Sequence, residues 1–171
     1  MNERKDCRKW IDFVIDKFGK DVEIILTGIS MGGATVIMTA EEKLPQNVKY
    51  ALADCPFSSA KEMICLTIKR MHLPPKLLYP IIKLSAKLLG KFDLEETYPL
   101  KAVKSASIPI IFYHGKADGF IPYQMSERLF DSCASNKTLV LIEKADHGLC
   151  YPEDKEKYIN ALKDFNFKYL S

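Results

Sequence analysis

Three residues of this 171-residue chain have the types and the order needed for a serine nucleophile with its base and its acid. Ser30 lies in the sequence Gly-Ile-Ser-Met-Gly, directly after an apolar run, and Asp118 and His147 each follow a further apolar run. A serine hydroxyl becomes a useful nucleophile when an imidazole accepts its proton and a carboxylate orients that imidazole. The three residues therefore predict acyl transfer through a serine.

The segment around Ser30 predicts a strand, a tight turn and a helix. Residues 22–27 form a near-continuous apolar run, which is typical of a parallel strand buried on both faces. An apolar segment of helical length continues from Gly32 to about Glu42. Small residues let the backbone bend sharply here, and such a turn raises the serine oxygen above the sheet.

Asp118 is the preferred acid because it follows the strand predicted at 108–113. Sites in parallel sheets form where the carboxyl ends of the strands meet. Asp54, after the strand predicted at 48–53, is the chief alternative. Asp146 is disfavoured as the acid because it immediately precedes the candidate base.

His147 is the preferred base because it follows the strand predicted at 138–142. The other two histidines, His72 and His114, are interpreted as structural. Cys150 lies close to His147 in sequence, but two ligands without further spacing indicate a metal site only weakly, and no metal is expected.

Three ordered segments resemble motifs of the α/β-hydrolase superfamily: GISMGG at 28–33, HGKADGFIP at 114–122 and ADHG at 145–148. The resemblance is to bacterial esterase-like and serine-aminopeptidase-like members, and it extends from about residue 3 to the C-terminus. It implies that Ser30 is the nucleophile, Asp118 the acid and His147 the base.

The same resemblance makes the amide of Met31 one donor of the oxyanion hole. The second donor ordinarily lies in a loop after an earlier strand, and no segment here matches that loop. In these hydrolases the nucleophile follows the fifth of about eight strands. The implied fold is therefore the C-terminal half of an α/β-hydrolase, a three-layer αβα structure with a mostly parallel sheet, in which the N-terminal half is missing.

Strands that alternate with helices also predict a parallel α/β sheet. We expect one domain over residues 1–171, with a helical cap inserted at 58–98. The apolar residues of the cap, including Met63, Ile64 and those of the stretch 77–89, either line a substrate pocket or form the core of the cap. The helices are predicted at 4–18, 32–42, 59–71, 80–89, 122–134 and 152–169.

Composition limits the possible partners. Charged residues make up 27% of the chain, the net charge is +3, and there is no basic, aromatic-rich stripe of the kind that binds nucleic acid. The polar N-terminus and the absence of a long apolar run argue against a signal peptide or a membrane span, and the lysines of the cap are interpreted as a solvated face. Five cysteines without a CxxC pattern favour reduced thiols in a cytoplasmic protein.

The sequence thus predicts a serine hydrolase that cleaves a carboxylic ester, or with less support an amide, and requires no cofactor. One alternative is a non-catalytic or partner-dependent fragment. Its apolar 22–27 strand would have an exposed edge, through which it would self-associate or pair with a separate N-terminal half. Another alternative, an acyltransferase on the same scaffold, is not separable by sequence.

Overall fold

Four parallel strands with helices on both sides form the fold in the computed structural model, which describes residues 3–96 and 98–170. The strands pair in their order along the chain, so that β1 and β4 are the edges of the described sheet. This arrangement confirms the predicted α/β class. The strands are β1 (Ile24–Ile29), β2 (Val48–Asp54), β3 (Ile110–Gly115) and β4 (Lys137–Ile142). The helices are α1 (Glu3–Phe18), α2 (Met31–Thr39), α3 (Ala60–Arg70), α4 (Pro75–Leu88), α5 (Pro99–Ala102), α6 (Gln124–Ser132), α7 (Cys150–Glu153) and α8 (Lys155–Tyr169).

Helices cover both faces of the inner strands, so both faces are buried. Successive side chains of a strand point to opposite faces and therefore enter different clusters. In β2, Ala51 and Ala53 pack in the cluster that also contains residues of α1, α2 and α6. Tyr50 and Leu52 pack on the other face, against Phe165 of α8. Burial on both faces explains why these strands are apolar at almost every position.

The first strand lies two residues later than the predicted 22–27. It spans Ile24–Ile29, because the side-chain amide of Asn47 donates to the carbonyl of Val22 at 2.8 Å, before the ladder begins. At the other end the ladder continues further, since the amide of Ser30 still donates to β2 at 2.8 Å. The prediction placed the strand correctly but missed both of its ends.

The helix predicted at 80–89 begins five residues earlier, at Pro75. Proline suits the first position of a helix because its fixed φ is helical and its missing N–H would be unpaired there. Pro80 lies inside α4 instead of starting it. The carbonyl that loses its partner belongs to Lys76, an exposed residue, so water is able to satisfy it.

The last predicted helix is two helices. Instead of one helix from residue 152, the short α7 ends at Glu153 and α8 starts at Lys155. Asp154 separates them, and its side chain accepts a hydrogen bond from the amide of Lys157 at 3.0 Å. An aspartate that caps a helix in this way starts a new helix at that point. The other predicted helix and strand ends lie within three residues of those observed.

The segment between β2 and β3 carries the helices α3 and α4. The side chain of Ser59 caps α3 by accepting from the amide of Glu62 at 3.3 Å. A third apolar cluster joins α3, through Met63, to the start of α2 and to α6. On α4, four apolar residues at helical spacing are exposed: Leu77, Ile81, Leu84 and Leu88. None of the helices in the described part of the chain combines the length and the apolar character needed to cross a bilayer.

Candidate active site

Ser30 lies on a strained turn between β1 and α2. Its φ of 56° and ψ of −115° fall outside the regions that a serine prefers, a strain that ordinarily costs about 1–3 kcal/mol. Gly28 makes the turn possible, because a Cβ there would lie 2.2 Å from the backbone of Gly32. The sharp turn projects Ser30 at the end of the strand, as the sequence pattern predicted.

The structure brings Ser30, His147 and Asp118 into one hydrogen-bonded series. The Nε2 atom of His147 lies 3.0 Å from Ser30 Oγ, and its Nδ1 atom lies 2.8 Å from Asp118 Oδ2. A carboxylate only accepts hydrogen bonds, so Nδ1 carries the imidazole proton and Nε2 is free to accept the proton of the serine. This is the tautomer that a general base requires.

Both oxygens of the Asp118 carboxylate have hydrogen-bond partners. Its Oδ1 accepts from the amides of Phe120 and Ile121, each at 2.8 Å, while Oδ2 faces the histidines. Burial opposes ionisation, but hydrogen bonds from His114, His147 and these two amides outweigh it and lower the pKa of Asp118 to about 2. Asp118 is therefore ionised at neutral pH and able to stabilise an imidazolium.

Two contacts bring the acid loop after β3 close to the histidine loop after β4. Gly115 allows the approach, because a Cβ there would lie 2.0 Å from the carbonyl oxygen of Ala145. Asp146 then joins the loops, since its Oδ1 accepts from the amide of Gly119 at 2.9 Å and from that of His147 at 2.7 Å. These bonds lower the pKa of Asp146. The sequence analysis considered Asp146 only as an acid, and no sequence signal indicated this connecting role.

Asp54, the alternative acid, has other contacts. It is 2% exposed, and its Oδ2 accepts from the hydroxyl of Tyr158 at 3.3 Å. Its Oδ1 is buried and has no hydrogen-bond partner within residues 3–96 and 98–170. Burial raises the pKa of Asp54, in contrast to that of Asp118. The geometry therefore favours Asp118 as the partner of His147.

The two histidines interpreted as structural differ from each other. His72 is exposed in the turn after α3. His114 is completely buried, and its Nε2 lies 3.2 Å from Asp118 Oδ2. The sequence analysis missed this contact, although His114 and Asp118 are only four residues apart.

An apolar pocket of about 520 Å³ starts at Met31, the neighbour of Ser30. Met63 and Ile64 of α3 line it, as the sequence analysis had considered for the cap. The exposed apolar residues of α4 do not line this pocket. The remaining lining residues are Glu3, Phe57, Ala60, Phe92 and Leu94. Such a pocket suits an apolar group attached to a carbonyl at Ser30.

One group of described residues has the composition of a metal site. The potential ligand atoms of Cys55, Asp118 and His147 all lie within 4.8 Å of one another. Asp118 and His147 are already hydrogen-bonded to each other, and burial, reinforced by the charge of Asp54, raises the pKa of the Cys55 thiol to about 12. The arrangement is thus suited to proton transfer rather than to ligation. Cys150, noted in the sequence, is not in this group, and all five cysteines are free.

Solved structures with the same fold include esterases and a peptidase. Pyrococcus furiosus esterase Pf2001 has a TM-score of 0.73 and 17% identity, over 99% of this chain and 63% of that one. The esterase domain of a Rhodothermus marinus protein has a TM-score of 0.69 and 20% identity, over 100% and 70%. Acylaminoacyl peptidase of Pyrococcus horikoshii has a TM-score of 0.67 and 16% identity, over 93% and 26%. These similarities show an α/β-hydrolase fold.

Sequence comparison identifies relatives that are longer than this chain. YqkD of Bacillus subtilis is 27% identical over 164 residues, which are 95% of this chain and 54% of YqkD. YfhR of Escherichia coli K12 is 30% identical over 125 residues, 72% of this chain and 38% of YfhR. The chain thus spans about half of the first relative and less of the second. The model of the prolyl oligopeptidase family matches residues 1–171. The chain therefore belongs to the prolyl oligopeptidase family, within the α/β-hydrolase superfamily.

Proposed function

We propose that this chain provides the nucleophile, base and acid of a hydrolase that cleaves a carboxylic ester through an acyl-enzyme. The observation that carries the proposal is the hydrogen-bonded series from Ser30 through His147 to Asp118, at 3.0 and 2.8 Å. The family of serine hydrolases to which the chain belongs is consistent with it. Acyl transfer requires this order of nucleophile, base and acid.

In the proposed reaction, Ser30 Oγ attacks the carbonyl carbon of the ester while His147 Nε2 takes the hydroxyl proton. The resulting imidazolium is stabilised by ionised Asp118. As the bond to the alcohol breaks, His147 returns that proton to the leaving oxygen, which leaves an acyl group on Ser30. Water then attacks the acyl carbon while His147 takes its proton. The bond to Ser30 Oγ breaks, His147 returns the proton to that oxygen, and the carboxylic acid product leaves.

The amide of Met31 is the proposed donor to the oxyanion. Met31 is the first residue of α2, where amides have no partner within the helix and the helix dipole favours negative charge. A second donor is not assigned to any described residue. One missing donor reduces kcat by about 10²–10³-fold, which slows the reaction without stopping it. If turnover requires a partner, the chain is the partner-dependent fragment considered from the sequence.

An apolar acyl group is the proposed substrate feature. The pocket beside Met31 is lined by the side chains of two methionines, two phenylalanines, an isoleucine, a leucine and an alanine, with one glutamate. Burial of a methylene group in such a pocket contributes about 0.8 kcal/mol. Esters are preferred over amides in the proposal because similar solved proteins are named esterases, although one is named a peptidase.

A fluorophosphonate probe tests the proposal directly, because an activated serine displaces its fluoride and becomes phosphonylated. We expect labelling of the native chain at Ser30 and none in Ser30→Ala. Ser85→Ala, which removes an exposed serine on α4, is the control and should label. Undiminished labelling of Ser30→Ala would reject Ser30 as the nucleophile.

The ester preference is tested with p-nitrophenyl esters and p-nitroanilides that carry the same acyl groups. We expect esters to be cleaved faster than anilides, and neutral apolar acyl groups faster than charged ones. Faster cleavage of the anilides would favour a peptidase. Transfer of the acyl group to an added alcohol in preference to water would favour the acyltransferase.

A further inference from the structure

His114 is a buried histidine that the proposed reaction does not use. It lies in β3, is 0% exposed, and has hydrogen-bond partners for both ring nitrogens. Its Nδ1 lies 2.6 Å from the hydroxyl of Ser126, on α6, and its Nε2 lies 3.0 Å from the carbonyl of Ile121. Buried polar groups cost free energy unless they are paired, and this ring is paired on both sides.

These partners determine which nitrogen of His114 carries the proton. The carbonyl oxygen of Ile121 can only accept a hydrogen bond, so Nε2 must be the donor. When the ring is neutral, Nδ1 accepts from the hydroxyl of Ser126. The N–H group at Nε2 of His114 is thus directed at the acid loop.

The same Nε2 atom lies 3.2 Å from Asp118 Oδ2, the oxygen that also accepts from His147. The N–H group of His114 thus points to the carbonyl of Ile121 and lies in contact with the carboxylate. The side chains of both His114 and Asp118 are fully inaccessible to solvent. His114 consequently contacts Asp118 on its buried side, while His147 contacts the same oxygen from the partly exposed side.

We propose that His114 is a positioning residue for the acid: its Nε2–H group fixes the carboxylate of Asp118 in the orientation that keeps His147 in its Nδ1–H tautomer. This inference rests on the proposed function, because it assigns the role through Asp118. Without the Nε2–H donor, Asp118 would keep its two backbone amides on Oδ1, but Oδ2 would be held by His147 alone. The carboxylate could then turn, and the imidazole would turn with it.

Two variants of His114 separate positioning from simple filling of space. His114→Gln places an amide donor near the position of Nε2, whereas His114→Leu fills a similar volume without a donor. His114→Leu is combined with Ser126→Ala, so that no buried hydroxyl loses its acceptor. His72→Asn, at the exposed histidine with a φ of 60°, is the control, because asparagine tolerates this conformation.

The first measurement is independent of activity. Long-range proton–nitrogen NMR spectra at alkaline pH, where imidazoles are neutral, report which ring nitrogen is protonated. We expect the Nε2–H form for His114 and the Nδ1–H form for His147 in the native chain. The leucine variant should move His147 towards the Nε2–H form, and the glutamine variant should restore it. An unchanged His147 tautomer in the folded leucine variant would overturn the proposal.

The second measurement is the rate of fluorophosphonate labelling at Ser30. We expect the leucine variant to label about 10- to 10²-fold more slowly, the range for a displaced catalytic group, and the glutamine variant to recover most of that rate. In an Asp118→Asn background the same change should cost less than about 3-fold, because residues that act as a unit are not additive. Equal losses in both backgrounds would overturn the proposal. If the native chain is not labelled at Ser30, the proposed function is contradicted instead. The NMR result would still decide the role of His114.

Discussion

Asp54 and Asp118 are two carboxylates at the ends of neighbouring strands, and their surroundings shift their pKa values in opposite directions. Asp118 has donors on both oxygens, and its pKa is lowered to about 2. Asp54 has one unpartnered buried oxygen, and burial raises its pKa. The pKa values of two residues of the same type thus shift in opposite directions, because hydrogen bonds dominate at Asp118 and burial dominates at Asp54.

Asp118→Asn should reduce ester turnover by about 10⁴-fold, because an amide would hold His147 in the wrong tautomer. Asp54→Asn should reduce it far less, since Asp54 contacts Tyr158 and not His147. Steady-state kinetics on one p-nitrophenyl ester compare the two variants. The reverse ranking would make Asp54 the acid.

Asp118 should also make stability depend on pH in the acid range. Its pKa in the folded chain, about 2, is lower than the value of about 3.9 in an unfolded chain. Its contribution is therefore complete above about pH 4 and is lost as the pH falls towards 2. Melting temperatures of the native chain and of Asp118→Asn should differ at about pH 5 and converge near pH 2. If the difference in melting temperature does not narrow as the pH falls, the low pKa of Asp118 is contradicted.

The sequence selected Ser30, Asp118 and His147 as candidates because motif, order and position after a strand agreed, and the structure brings the three within hydrogen-bonding distance. It did not distinguish the supporting residues. The contact of His114 with Asp118 depends on the turn of the chain between residues 114 and 121, and the role of Asp146 depends on the packing of two loops. Such contacts are set by tertiary structure, which single-sequence patterns do not encode.

The loops after β3 and β4 are joined by the carboxylate of Asp146, so this connection should control the geometry of the site. Asp146→Ala removes the acceptor for the amides of Gly119 and His147 and should lower kcat by up to about 10²-fold through displacement of the imidazole. Asp146→Asn keeps an oxygen acceptor and is the matched control. Kinetics on a single ester are the measurement. Equal activity of the alanine and asparagine variants would show that the hydrogen bonds accepted by Asp146 are not needed to position the two loops.

Helix α3 should determine the size of the acyl group. Ile64 lines the pocket beside Met31 and is only partly buried, so Ile64→Trp should fill the pocket without disturbing the core. We expect the preferred acyl chain of p-nitrophenyl esters to become shorter, whereas Ile64→Leu, of equal volume, should leave it unchanged. If Ile64→Trp and Ile64→Leu prefer the same acyl chain length, the acyl group binds outside this pocket.

Element ends were harder to predict than elements. The start of α4 was missed because two prolines, Pro75 and Pro80, are both acceptable near a helix start, and exposure of the helix allows the second to lie inside it. The division between α7 and α8 was missed because the capping role of Asp154 depends on its backbone conformation. Where a boundary depends on solvent exposure or on a single cap, apolar periodicity does not locate it.

At the scale of the whole molecule, β1 is an edge strand of the described sheet. In the described residues β1 pairs with β2 alone. Amides alternate along a strand and that of Ser30 donates to β2, so the amide of Thr27 is directed away from the sheet. We expect the 171-residue chain to self-associate through this edge, because unpaired strand edges favour pairing with another chain.

Thr27→Pro tests this expectation, since it removes a donor on the outer edge and leaves the β1–β2 ladder intact. Light scattering over a range of concentrations should show association of the native chain and of the control Thr27→Val, and a monomer for Thr27→Pro. A native chain that remains monomeric at every concentration, or association that persists in the proline variant, would exclude this edge as the interface.

The nucleophile and the base come from opposite edges of the sheet, which links reactivity to folding. Ser30 follows β1 and His147 follows β4, and three strand spacings, about 14 Å in total, separate those edges. Their hydrogen bond forms only when every strand is paired and the loops above the sheet are folded. A partly folded chain that keeps its helices but has lost either outer strand would have no activated serine. Reactivity at Ser30 therefore reports completion of the native topology, and we expect it to disappear on heating before the helical content does.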